Sequence, residues 1–460
     1  MTTGDFNPSK AMITKAEVSN FKQTKKENIV ALIGGFSISQ SITSPSFSIV
    51  LQVADMIGWL EGERDFGEVR GEETIELEIE CKDLGTKIFI KGYIVRIDGV
   101  QPHSNYRGLI YNLHIISKTS FEAGTKKIIQ AFKKRTASDV AQSIFNQSYG
   151  KINKSGPMLY SGIPNFKDVK GTLGAGKTVY FEHSADTLSL ATVIPNLTPA
   201  AALNFIAQRA YSEESKSSAF RFFETLTGYY WVTDEWLIKF AQANKNLDRP
   251  GISREKQLVF NPVTGREPKD ANAQIMQIEA MSNDTRVDDS ADVFNGGYKN
   301  RGFIIDLLRG KVVDKTFEYK QNEFTDMGSG SITDDIHSKE WIEKYTNKDN
   351  AMRFMIYKDY KEKFPGVNKP NQYHTEIVSQ NLKHNHHLNY VSVSAQLKGR
   401  LDIEPGMIVN IKAARFSAVA DKTVDNERLS GNYLVHSTEH VMTNNVLETK
   451  LKLVRYMSRQ

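Results

Sequence analysis

The clearest pattern along this chain is strict alternation of apolar and polar positions. Ile75, Leu77 and Ile79 alternate with Glu76, Glu78 and Glu80, the period of a strand with one face on a core and one on solvent. Lys87-Ile-Phe-Ile-Lys, Gly92-Tyr-Ile-Val-Arg-Ile and Leu109-Ile-Tyr-Asn-Leu-His-Ile-Ile continue the series, with Asp98-Gly99 as a turn signal. Residues 29–120 are therefore expected to form an antiparallel β-barrel.

After residue 120 the period changes. Val140, Ala141, Ile144 and Phe145 share one helical face, with Ser138-Asp139 as the expected cap. Thr198-Pro199 marks a second helix start, an N-cap followed by proline in the first turn. Phe220-Arg-Phe-Phe-Glu and Tyr229-Tyr-Trp-Val flank a turn at Thr227-Gly228 and predict a hairpin. Trp236-Leu-Ile-Lys-Phe predicts another short strand, and Lys151 to Lys177 reads as a long loop. Residues 121–250 are read as an α+β unit.

Further on, Leu258-Val-Phe and Ile275 to Ala280 read as strands, and Tyr390 to Arg455 returns to β patterning. Between them, residues 282–389 are polar and loop-rich, an expected insertion. Residues 251–281 and 390–460 together are assigned to a second barrel. Residues 1–28 are polar and lysine-bearing and are read as a flexible arm. The fold class that follows is α+β, mainly β: two antiparallel β-barrels with inserted α+β domains.

The two β regions echo one another. Gly71 leads into an alternating strand, as Gly406-Met-Ile-Val-Asn-Ile does. Gly92-Tyr-Ile-Val-Arg matches Gly431-Asn-Tyr-Leu-Val-His, and Leu109-Ile-Tyr-Asn-Leu-His-Ile-Ile matches Leu447-Glu-Thr-Lys-Leu-Lys-Leu-Val. The spacing between copies stays near 340 residues. A chain carrying two copies of one barrel would present six in a ring of three.

Composition narrows the function classes. The chain has 460 residues, enough for several domains, and 40% apolar residues, enough for real cores. The net charge of +5 is the small difference between 59 basic and 54 acidic residues, too balanced to indicate nucleic-acid binding by itself. The single cysteine, Cys81, allows no intrachain disulfide and no thiolate metal cage. No apolar run approaches the ~20 residues of a membrane helix, and the polar N-terminus does not read as a secretory signal.

Three features carry candidate chemistry. Gly171-Thr-Leu-Gly-Ala-Gly-Lys177-Thr178 fits the phosphate-cradling pattern G-x-x-x-x-G-K-[ST]. Its context is wrong, because polar residues precede it and the strand-favouring Val179-Tyr-Phe follows it. It is read as a glycine-rich loop entering a strand. His374, His384, His386 and His387 cluster in a polar stretch and read as surface histidines. Glu76, Glu78 and Glu80 read as a solvated face, with the wall of a DNA channel as the sharper alternative. No catalytic, cofactor-binding or metal-ligating residue is assigned.

Leu401-Asp-Ile-Glu-Pro-Gly-Met-Ile-Val-Asn-Ile, Ser430-Gly-Asn-Tyr-Leu-Val-His and Leu447-Glu-Thr-Lys-Leu-Lys-Leu-Val-Arg resemble the C-terminal barrel of phage tail hub proteins. Thr198 to Phe240 is similar to their helix-plus-hairpin unit, and Phe36 to Leu51 to their opening strands. The family is that of the central baseplate hubs of T-even-type myophages. The resemblance implies a structural homotrimer with two tube-like barrels per chain, adapting a threefold cell-puncturing spike to a sixfold tail tube. It implies part of a DNA ejection channel, no cofactor and no enzymatic activity. The implied partners are the spike, the tail tube or tube-initiator proteins, the surrounding baseplate wedge proteins and DNA passing without sequence preference, with no membrane insertion. The implied place is the virion baseplate, assembled in the host cytoplasm. Two other readings stay open, a nucleotide-binding enzyme using Lys177 and a hub of a genome-free contractile injection system.

Overall fold

The computed structural model describes residues 7, 9–62, 66–103, 108–133, 135–157, 169–173, 176–184, 192–212, 215, 217–237, 257–260, 271–284, 299–306, 310–318, 339–345, 352–357, 391–414 and 429–455. The chain is mainly β. Its first strands are β1 (Met12–Ser19), β2 (Lys26–Asn28), β3 (Ile33–Ser41), β4 (Ser48–Asp55), β5 (Thr74–Cys81), β6 (Thr86–Pro102) and β7 (Leu109–Ser117). A middle group follows: β8 (Ile128–Phe132), β9 (Asn153–Pro157), β10 (Val169–Thr172), β11 (Thr178–Phe181), β12 (Thr192–Leu197), β13 (Phe220–Glu224) and β14 (Gly228–Thr233). Then come β15 (Gln257–Phe260), β16 (Ile278–Asn283), β17 (Lys299–Asp306), β18 (Lys311–Glu318) and β19 (Met352–Tyr357). The last are β20 (Val391–Lys398), β21 (Ile408–Ala413), β22 (Gly431–Thr443) and β23 (Val446–Arg455).

One sheet runs β16-β20-β23-β22-β3-β4-β7-β6-β5-β1-β2, with β21 paired to β22 and β15 to β21. It contains the same five-stranded unit twice, in the orders β3-β4-β7-β6-β5 and β16-β20-β23-β22-β21. The register repeats as well. Ile33 pairs with Val53, a residue is skipped, and Gly35 pairs with Gln52. Likewise Ile278 pairs with Leu397, a residue is skipped, and Ala280 pairs with Gln396. A bulge omits Val95 between β6 and β7, and its counterpart omits His436 between β22 and β23. These pairings equate Val53 with Leu397, Ile115 with Leu453 and Ile94 with Val435. The sequence match of Leu109 with Leu447 holds in register. That of Gly92 with Gly431 is two residues out of step along the strand, because Gly92 faces Ile75 and its true counterpart Tyr433 faces Val409.

Each half curls over its own core. Ile75, Leu77, Ile79, Ile49, Leu51, Leu113 and Ile115 fill the first; Val393, Leu397, Val409, Ile411, Tyr433 and Leu453 fill the second. Every second residue of these strands is apolar, which sets the inward face. The halves are joined edge to edge where β22 pairs antiparallel with β3 from Ser437–Ser41 to Thr443–Gly35. Gly35 permits that approach: a Cβ there would sit 2.6 Å from the Met442 carbonyl oxygen.

The flexible arm expected over residues 1–28 is corrected from Met12 onward. β1 pairs with β5 along its whole length, and β2 pairs with β1. Ala16 and Val18 are fully buried, while Lys15 and Glu17 form ion pairs with Glu76 and Lys26. Its apolar residues, Met12, Ile13, Ala16 and Val18, do not alternate strictly, and its charges make sense beside β5.

The middle group packs on helices α1 (Lys118–Gly124), α2 (Ala137–Ser148) and α3 (Pro199–Ala207) around Phe145, Phe222, Tyr229 and Trp231. The predicted hairpin is β13–β14, and Thr198 caps α3 through its hydroxyl, with Pro199 next. Other expectations change. The cap of α2 is Thr136, whose hydroxyl accepts from the Asp139 amide; Ser138 lies inside the helix and is buried. Asp234 to Leu237 form a helical turn, the Thr233 hydroxyl accepting from the Trp236 amide, and the rest of the strand expected from Trp236 to Phe240 lies outside the described residues. Ile275 and Met276 belong to a short helix, Ala271–Met276. The loop expected over 151–177 contains β9 and β10, and the polar stretch after 282 contains the sheet β18-β17-β19.

Candidate functional site

Lys177 lies at the end of the glycine-rich loop. It precedes β11, and β10 and β11 form an antiparallel hairpin with Gly171 opposite Val179. Gly176 takes the left-handed turn, φ 84°. A strand therefore follows the glycines where a phosphate loop requires a helix. The Lys177 ammonium donates to Glu224 Oε1 at 2.6 Å and to the Thr225 carbonyl at 3.1 Å, over the rings of Phe47 and Tyr229. Glu224 is fully buried and also accepts from the Ser120 hydroxyl at 2.6 Å. Lys177 thus neutralises a buried carboxylate.

The acidic stripe of β5 is not a wall of like charge. Lys15 and Lys91 reach Glu76 at 2.7 and 2.8 Å, and Lys87 reaches Glu78 at 2.9 Å. The strands on either side supply the cations, so the stripe is an ion-pair lattice. The Lys15 and Lys91 ammoniums hold the Glu76 carboxyl down at about 2. These glutamates form a salt-bridged solvent face rather than an unpaired anionic wall. The four clustered histidines, His374, His384, His386 and His387, lie outside the described residues. Among the described residues no group of three metal-ligating side chains converges.

What the structure brings together is the seam between the two halves. Its inward side is dry: Phe36, Ile38, Gln40, Thr438, His440 and Met442 are all buried. Gln40 and His440 stand at core positions of alternating strands, and both are held. Gln40 Nε2 donates to Thr438 Oγ1, and His440 Nδ1 lies 2.9 Å from Thr449 Oγ1. Burial pushes the His440 imidazole down to about 4, so it is neutral here.

The tip of the β13–β14 hairpin sits over this seam. The Leu226 amide donates to Gln40 Oε1 at 2.9 Å, and the Thr227 hydroxyl donates to Glu404 Oε2 at 2.6 Å. One contact reaches the first half and the other the second. Behind the tip, Phe223, Tyr230, Val232 and Trp236 pack on Ile42, Leu434 and Val454.

The outward side of the seam is a groove of 790 Å³ lined largely by small hydroxyl side chains, among them Ser39, Ser41, Ser48, Ser394 and Ser437. The charged side chains on it are Glu439, Lys450 and Lys452, with Glu439 and Lys450 3.8 Å apart. Such a surface offers weak hydrogen bonds and one unbalanced positive charge. The signal for it was present in the alternating serines of Phe36-Ser-Ile-Ser-Gln-Ser-Ile, but the sequence does not tell that β3 meets β22.

No family model matches the chain, and no curated protein matches it. Solved structures do resemble it. The tail protein from Neisseria meningitidis MC58 aligns over 96% of this chain and 96% of its own, with 11% identity and a TM-score of 0.51. The 43 kDa tail protein of prophage MuSo2 from Shewanella oneidensis aligns over 96% and 98%, with 10% identity and a TM-score of 0.45. A prophage tail protein from Listeria monocytogenes EGD-e aligns over 95% and 94%, with 7% identity and a TM-score of 0.42. The first of these shows that the chain has the fold of a tail protein over nearly its full length.

Proposed function

We propose that this chain is the structural central hub of a contractile phage tail baseplate. The observation that carries the reading is the duplication: one five-stranded unit occurs twice in one sheet, in the same strand order and with the same bulges. Two such units per chain let a threefold assembly present six similar edges and faces, which is what an adaptor between a threefold spike and a sixfold tube requires. The tail-protein fold, shared over 96% of the chain, agrees with this.

In this reading three chains close into a ring and the hydroxyl-lined groove faces its axis. DNA passes such a wall without a run of like charge to hold or repel it. The partners are a cell-puncturing spike on one side, tube or tube-initiator proteins on the other and wedge proteins around. The role is structural and needs no cofactor. The paired states of Lys177 and Glu76 support that, since neither side chain is poised for a substrate.

The test is native mass spectrometry with negative-stain microscopy on the purified chain, alone and with the spike protein of the same particle. The expected result is a species of three times 51.9 kDa, seen as a ring with an axial opening. A chain that stays monomeric under both conditions overturns the reading.

A further inference from the structure

We infer that the outward face of the β8–β12 ribbon is the docking surface for an acidic segment of another protein, which lays apolar side chains on Ile129, Ala131 and Val193 and carboxylates on Lys127 and Lys133. The ribbon belongs to the middle group, outside the duplicated unit that carries the hub reading, and the inference stands apart from that reading.

β8 and β12 pair with each other alone among the described residues. The inward side chains of the ribbon, Ile128, Phe132 and Ile194, belong to the core around Phe145 and Trp231. Alternation sends the residues between them the other way. On β8 and its two flanking positions that outward face reads Lys127, Ile129, Ala131, Lys133, all exposed. β12 adds Val193 opposite Ala131, which makes Ile129 the diagonal neighbour of Val193. Ile129 is 74% exposed and Val193 57%. No other large apolar side chain among the described residues is as exposed as Ile129. Polar residues would serve this strand face equally well if it met only water. An exposed apolar patch with a charged rim marks a contact surface.

The rim identifies the occupant. Between Glu122 and Asp139 the chain holds five cations, Lys126, Lys127, Lys133, Lys134 and Arg135, and no acid. Two of them are engaged: the Lys126 ammonium donates to the Ser148 carbonyl at 2.9 Å, and the Arg135 guanidinium lies over the Phe132 ring at 5.9 Å. Glu122 faces Lys118 at 3.9 Å. Lys127 and Lys133 have no ion-pair partner among the described residues. They stand at the two ends of the strand, about 20 Å apart at the rise of extended chain, with the apolar centre between them. A complementary segment carries a carboxylate near each end and bulky apolar residues in the middle. The apolar contact supplies affinity, and the charges set encounter rate and orientation. A bilayer fits less well. An interfacial anchor offers a broad apolar face with Trp, Phe or Leu, and this patch has one isoleucine, one valine and one alanine.

The experiment places the photo-cross-linker benzoylphenylalanine at position 129 of the full chain, in the cells that make it, and sequences the joined peptide by mass spectrometry. The expected product is one segment of another protein in which carboxylates flank apolar residues. Lys127→Glu with Lys133→Glu, both at exposed positions, should leave the thermal midpoint unchanged and cut that product about tenfold or more. The same label at Phe21, 68% exposed, should not give it. A product that maps to a second copy of this chain, or to a neutral or basic segment, overturns the inference, as does no product from a folded chain. So does a yield that the charge reversal leaves unchanged. Binding of the purified chain to phosphatidylglycerol vesicles that Ile129→Asp abolishes assigns the patch to a membrane and overturns the protein partner. None of these outcomes bears on the threefold ring, which native mass tests separately.

Discussion

Gln40 stands opposite Thr438 across the seam and is bonded in two directions, its Nε2 donating to Thr438 Oγ1 at 3.3 Å and its Oε1 accepting from the Leu226 amide at 2.9 Å. One fully enclosed amide thus ties together the first half, the second half and the hairpin. Gln40→Leu removes both bonds and leaves the Leu226 amide and the Thr438 hydroxyl buried without this partner. Such groups cost about 1–3 kcal/mol each. The variant should lose roughly 2–4 kcal/mol, read as a lower urea midpoint at unchanged slope.

Lys177→Met should destabilise the fold and leave nucleotide affinity unaltered. The fully buried Glu224 loses its cation, and breaking a buried pair from one side costs about 3–5 kcal/mol. The partial exposure of Lys177 puts the expectation at roughly 2–3 kcal/mol. Calorimetric titration with ATP and magnesium should give no heat for the natural chain or the variant. Saturable ATP binding that the substitution abolishes would restore the enzyme reading.

Glu76 links stability to acid. Its carboxyl is held at about 2 against an ordinary 4.5, so its contribution is full above pH 4.5 and is lost as pH falls from 4.5 through 2. Glu76→Gln should cost about 1 kcal/mol at pH 7, given partly exposed partners. The gap between variant and natural chain should shrink to nothing near pH 2 in denaturant titrations run across that range.

His440 acts in a higher window. Its imidazole titrates near 4 in the fold and near 6.5 when unfolded. The neutral form is the folded form, so stability is full above pH 6.5 and falls as pH drops from 6.5 to 4. His436, also held at about 4 by burial, adds to the same window. His440→Leu should flatten stability between pH 6.5 and 4 by roughly half, measured by urea unfolding at stepped pH. An unchanged slope would show that the seam does not feel this residue.

Much of the fold is legible because it is local. Alternation located β5, β6, β7, β22 and β23, and Thr198-Pro199 located α3. Strands whose identity depends on a distant partner were not legible. β1 is mostly lysine, threonine and glutamate outside its core positions, and it reads as a strand only beside Glu76 and Glu78. The context of Lys177 was enough to set the phosphate-loop pattern aside, but not to find its partner, because Glu224 is 47 residues away. Gln40 did carry a signal. It breaks the apolar series Phe36, Ile38, Ile42 on the core face, and a lone polar residue there requires a partner. Which partner is set by tertiary pairing.

The seam also sets a schedule for biosynthesis. Gln40 and Thr438 are 398 residues apart. At ribosomal rates of about 5–20 residues per second, β3 leaves the ribosome about 20 to 80 seconds before the strand that will cover its edge exists. For that interval the nascent first half shows neighbouring polysomes a bare strand edge.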